Sequence, residues 1–157
     1  MSQEALNECI REEQTYQFLT FSNRDAWELG CCLREACAQM EGPLAAEVEI
    51  NHVVVFRCYP DGTNRNNELW LRRKRNTVDT VEKSTLRVFY ELEASGEDLR
   101  RDWLLDPMEY AACGGAFPIR LRGGSVIGVA AVSGLPHLRD HAALMEGIRR
   151  YWEKHPG

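Results

Sequence analysis

The chain has 157 residues, of which 44% are hydrophobic and 27% charged, the size and balance of one globular domain that buries its own core. With 24 acidic against 19 basic residues it carries a formal charge of -5, which excludes general nucleic-acid binding, because neutralising phosphates takes a basic face. The longest apolar runs, Val53 to Phe56 and Val126 to Val132, are far too short to span a bilayer, so no membrane segment is expected. The start, Met1-Ser2-Gln3-Glu4-Ala5, lacks the basic and apolar stretches of a secretory signal, and a cytoplasmic, reducing setting is expected. There the six cysteines (Cys9, Cys31, Cys32, Cys37, Cys58, Cys113) read as free thiols. No Cys-x-x-Cys pair occurs, so no metal site of the usual zinc-ligand spacing is expected.

Leu6 and Ile10 point to a helical arm over residues 1–14, after which Thr15 to Phe21 is β-branched and aromatic, like a strand. Ser22 to Asp25 supplies cap residues for a helix with an apolar face of Ala26, Leu29, Gly30, Leu33, Cys37 and Met40, ended by Gly42-Pro43. Glu47 to Ile50 alternates polar and apolar, Asn51-His52 is a turn, and Val53 to Phe56 continues as a buried strand up to Tyr59-Pro60-Asp61-Gly62. A helix from about Asn66 carries Trp70, Leu71 and Val78, and a second carries Val81, Thr85, Val88, Phe89 and Leu92 before Gly96. Phe117 to Arg122 and Ser125 to Val132, separated by Gly123-Gly124, form a tight hairpin. A last helix presents Leu138, His141, Ala142, Met145, Ile148 and Trp152 as one stripe. Pairs of strands separated by helices in this order predict an α+β fold with an antiparallel sheet, in a single domain over residues 1–157.

The segment Ala111-Ala112-Cys113-Gly114-Gly115-Ala116-Phe117-Pro118-Ile119-Arg120, with Ile127-Gly128-Val129, Val132 to Pro136 and Asp140-His141, resembles the end of the haem-degrading-domain family of GlcG- and HbpS-like proteins. The resemblance extends upstream through Pro60 to Thr63, Asn66 to Trp70 and Arg73-Lys74. It implies a profilin-like fold, a five-stranded antiparallel sheet flanked by helices, and a homo-oligomer; some relatives bind haem or a corrinoid-related partner. Members of the nearer branch often carry His before the Gly-Gly pair, where this chain has Cys113, and a thiolate also ligates haem iron.

Candidate ligand-binding residues are His141, Cys113, Gly114, Gly115, Trp70, Arg73 and Lys74. The glycine pair is either a plain turn or a nest whose amides donate to a carboxylate or phosphate. His141 is either a packed histidine or a ligand and proton carrier. Lys74, four residues after Trp70, lies on the inner edge of its helix, where with Trp70 and Arg73 it either holds propionates or makes a structural ion pair or subunit contact. Cys113 has no evident His partner for a nucleophilic dyad, and the catalytic residues are not defined. His52 reads as exposed, and His137 and His155 have weaker cases. Three functions remain open: a module for haem or another anionic small molecule, a homo-oligomeric adaptor, and an oxidative haem-degrading enzyme.

Overall fold

The structure is a computed structural model that describes residues 2–155. The elements run α1 (Ser2–Thr15), α2 (Asn23–Ala38), β1 (Ala45–Ile50), β2 (Val53–Cys58), α3 (Arg65–Val81), α4 (Thr85–Ser95), β3 (Ala116–Arg120), β4 (Val126–Ser133) and α5 (His137–Lys154). The strands form one antiparallel sheet in the order β2-β1-β4-β3. The fold is therefore α+β, with four strands among the described residues rather than five. The strand-like run at Thr15 to Phe21 does not join the sheet as a strand. α1 takes its first residue, and only Phe18 bridges Leu121, through its amide to Arg120 O (2.8 Å) and its carbonyl from Arg122 N (2.8 Å). Its aromatic residues serve packing instead: Phe18 and Phe21 both pack edge-on against Tyr151, holding the segment by side chains rather than by a ladder.

Local chemistry explains the boundaries. Ser22 and Asp25 exchange side-chain and backbone hydrogen bonds in a capping box that starts α2. Asn64 and Asn67 do the same for α3, which ends at a left-handed Glu82, so the next helix begins at Thr85 rather than Val81. Asn51 and His52 both have positive φ (48° and 68°), as a two-residue turn twisted to match its strands requires. The β3–β4 loop is one residue longer than the glycine pair: Leu121 N bonds Ser125 O, leaving Arg122, Gly123 and Gly124 between them. A bulge between Ile119 and Arg120 absorbs the register change.

The central strands alternate between two cores. Ala46, Val48 and Ile50 join Leu29, Leu33, Phe117, Val132, Leu144 and Ile148 beneath α2 and α5. Ala45 joins Leu71, Val78, Ala116, Val129 and Ala131 beneath α3. Since side chains alternate along a strand, Glu47 and Glu49 also face α3 and are buried, so the polar alternation of β1 marks a second covered face and not a solvated one. α5 is rotated relative to its expected stripe. Asp140, His141, Ala143, Leu144, Gly147, Ile148 and Tyr151 are buried, whereas Leu138 is half exposed. The helix packs on α2 through its small residues, and a Cβ at Gly147 would lie 2.8 Å from Leu33 Cα. In the sheet, a Cβ at Gly128 would lie 2.1 Å from the carbonyl oxygen of Glu49, which the β1–β4 pairing holds in place. Gly128→Ala is expected to cost about 2 kcal/mol, read as a lower urea midpoint at unchanged slope.

Candidate functional site

The first turns of α3 place Asn66, Asn67, Trp70 and Lys74 on one face, since these positions recur at three- and four-residue steps. Opposite them stand Cys113, the Ser133 to Leu135 turn, and His137 and Asp140 from the first turn of α5. Together they enclose a pocket of about 270 Å3. At its base Lys74 is 2% exposed; its Nζ donates to Val132 O (2.9 Å) and Asp140 Oδ2 (3.0 Å), while Asp140 Oδ1 accepts from Leu135 N (2.8 Å). Both buried charges are thus paired and hydrogen-bonded, as burial demands.

The glycine pair answers to close approach. A Cβ at Gly115, where φ is +131°, would lie 2.5 Å from Lys74 Nζ, and one at Gly114 would lie 2.5 Å from His137 O. The Gly114 amide donates to His137 Nδ1 (3.0 Å), and the Gly115 carbonyl accepts from Val132 N (2.7 Å). With Nδ1 accepting, the neutral ring carries its proton on Nε2. Burial, with Lys74 adding to it, holds the His137 pKa below the ordinary imidazole range. Burial pushes the Cys113 thiol up against the opposing pull of Lys74, so it stays protonated at neutral pH and is not an activated nucleophile.

Trp70, Lys74 and Cys113 thus line one pocket, and Gly114 and Gly115 pack behind it against His137 and Lys74. Arg73 turns outward, stacking on the Trp70 ring at 4.9 Å and donating from Nε to Met108 O (3.2 Å). His141 does not line the pocket: its Nε2 lies 2.9 Å from Glu12 Oε1 of α1. His137, one turn earlier, takes the position beside the glycine pair. Sequence reading gave His137 only a weaker case and did not single out Asp140 as a site residue, because an acid in a helix's first turn reads simply as a favourable dipole contact. A pairing of Asp140 with Lys74, 66 positions away, leaves no local signal.

A second polar cluster lies under α3. Glu47 is fully buried and saturated by Arg75, by the Tyr59 hydroxyl and by Arg57 Nε (2.7 Å). Glu49 lies beside it near Asp79; burial first, and then Asp79, push its carboxyl up to about 8. Sequence reading missed both.

A helix-flanked antiparallel sheet, with a buried Lys–Asp pair at the base of the pocket between α3 and α5, defines a small α+β protein. The chain belongs to the HbpS-like family, whose model, described as haem degrading protein HbpS-like, matches residues 21–149. It is 35% identical over 150 residues to a UPF0303 protein of Edwardsiella ictaluri, covering 96% of each chain. The crystal structure of Ybr137w protein superposes with a TM-score of 0.85 at 22% identity, covering 96% of this chain and 89% of that one. That of the PduOC:heme complex gives 0.70 at 17% identity, covering 83% and 94%; at such identities the likeness is one of fold. No described helix is long and apolar enough to cross a membrane.

Proposed function

We propose that the protein binds a small anionic molecule in the pocket between α3, the Cys113 loop and α5, and does so as a homo-oligomer in a reducing, cytoplasmic setting. The observation that carries this reading is the donor-rich wall. Lys74 has a third N–H beyond its bonds to Val132 and Asp140, His137 offers its Nε2–H, and the Asn66 side chain stands at the first turn of α3, while the Asn67 amide is turned to Ser133 O (3.3 Å). Asp140, the pocket's carboxylate, is already occupied by Lys74 and the Leu135 amide. The first turns of α3 and α5 both line the pocket, and a helix N-terminus favours negative charge. Six unpaired cysteines suit a reducing compartment. The helix-flanked sheet is compatible with the profilin-like architecture implied by the sequence resemblance.

Haem is the second reading, favoured by the family's description and by the fold shared with the PduOC:heme complex. The residues present do not fit an enclosed, axially ligated haem. His137 Nδ1 is engaged by the Gly114 amide, so Nε2 carries the proton and has no lone pair for iron, and the volume falls below the ~300–1,000 Å3 of drug-sized sites. They do fit a propionate-sized carboxylate, with an attached ring lying on the half-exposed face of Trp70.

Titrating the full chain with haemin and, separately, with small mono- and dicarboxylates tests both readings. Saturable carboxylate binding, weakened roughly tenfold by His137→Phe or Trp70→Ala at unchanged melting temperature, is the expected result. One haemin per chain, lost in Cys113→Ala, would replace it with axial ligation. Absence of saturable binding by either probe would sink the ligand-binding reading.

A further inference from the structure

Cys9 and Glu12, three residues apart on α1, share one helix face, and His141 of α5 meets that face. One ligand atom from each of the three lies within 4.8 Å of the other two. Cys9 is 2% exposed and His141 7%, and the His141 Nδ1 is buried without a hydrogen-bond partner. We infer that Cys9, Glu12 and His141 bind a zinc-like divalent cation that clips α1 to α5, with one coordination position left open.

The donor set selects the ion. A thiolate, a carboxylate and an imidazole suit zinc and its borderline neighbours, whereas magnesium and calcium prefer oxygen alone. Two anionic ligands neutralise the dication, and the surrounding field has the right sign. Burial first, and then Glu12, Glu13 and Glu8, push the metal-free Cys9 thiol up to about 12, so an ion binds there by displacing the thiol proton, while the same carboxylates, with Arg87 turned to Glu13 (2.9 Å) and Glu91 (3.0 Å), favour a cation. The Glu12 contact engages Nε2 of His141, and the buried Nδ1 has no partner, so the ring has a nitrogen still unplaced in the interior. A cleft of about 430 Å3 along Glu8, Arg11, Glu12 and Met145 gives an ion a path to Glu12. Zinc-motif spacing could not show this site, because its third ligand stands 129 positions from Glu12. A second triad, Glu49, His52 and Asp79, carries the idea less far: Arg75 competes for Glu49, with Nε 3.4 Å from its Oε1, and the His52 side chain is 78% exposed.

The test is a cobalt titration of the metal-free full chain in phosphine-reduced buffer, followed by absorbance. The expected result is one ion per chain, with tetrahedral d–d bands and a thiolate-to-cobalt charge-transfer band. Cys9→Ser abolishes the charge-transfer band, and Glu12→Gln and His141→Gln each weaken binding roughly tenfold or more. Zinc displaces cobalt and, at about 100 times its dissociation constant, raises the melting temperature by about 5–10 °C. A charge-transfer band that persists in Cys9→Ser overturns the inference, as does its absence from the wild type. Binding that survives His141→Gln and disappears in His52→Ala assigns the ion to the other triad. Serine is close in size to cysteine, so Cys9→Ser keeps the test decisive should either other variant misfold.

Discussion

Lys74→Ala is expected to destabilise the protein by about 3–5 kcal/mol, the largest loss from any single side chain of the pocket. The substitution removes an ammonium that is 2% exposed and leaves Asp140, also 2% exposed, as an uncompensated buried charge. Asp140 keeps only the Leu135 amide on its other oxygen, and the Val132 carbonyl loses its side-chain donor as well. The deficit should largely disappear in Lys74→Met combined with Asp140→Asn, because the pair is then removed together and the amide still accepts from Leu135. Urea unfolding of the two single variants and the double variant measures the coupling. Near-additive losses would mean that the ammonium and carboxylate are each stabilised by other groups, contrary to the geometry. The double variant also separates fold from function: with stability restored, any remaining loss of carboxylate binding belongs to the missing third N–H of Lys74.

This pair shows where sequence reading reached and where it stopped. Trp70 and Lys74 share a helix face by simple periodicity, so the inward position of Lys74 was legible, as were the Asn51-His52 turn and the Ser22–Asp25 cap, each set by local backbone chemistry. The partner Asp140 was not, because only the folded sheet brings the first turn of α5 over α3. His141 carries the same lesson with opposite result. It lies one turn beyond His137, near the same face, and the direction of its side chain sends it to Glu12 instead of the pocket. The stripe read for α5 was out of phase because the helix approaches α2 through Gly147 and Ala143, and large apolar residues such as Leu138 are left at the edge. Glu47 and Glu49 went unassigned for a related reason. A polar–apolar alternation is the usual mark of a strand with one wet face, and nothing local announces that α3 covers the other.

Glu49 supplies the second large effect, a loss of stability as pH rises. Its carboxyl loses its proton near an ordinary 4.5 when unfolded but holds it to about 8 in the folded protein. Burial disfavours the charge, and the Asp79 carboxylate beside it adds to that; the Nε of Arg75, 3.4 Å away, makes no hydrogen bond that would offset them. Between the two values the folded state binds one proton more than the unfolded state. Stability from this group is therefore full below about 4.5 and falls as pH rises through about 8, at up to about 1.4 kcal/mol per pH unit. Glu49→Gln keeps the size and a donor toward Asp79 but cannot ionise, so its stability should lack this decline. Urea unfolding at pH 5.5 and pH 8 is the measurement, and the wild type should lose about 2–3 kcal/mol relative to Glu49→Gln across that interval. Taking the difference cancels His137 and the cysteine thiols, which titrate alike in both proteins. Parallel profiles would mean that Glu49 is ionised at neutral pH and that Arg75 shares its charge between Glu47 and Glu49. In that case the carboxylates under α3 would form an ordinary buried ion-pair network rather than a proton-holding pair.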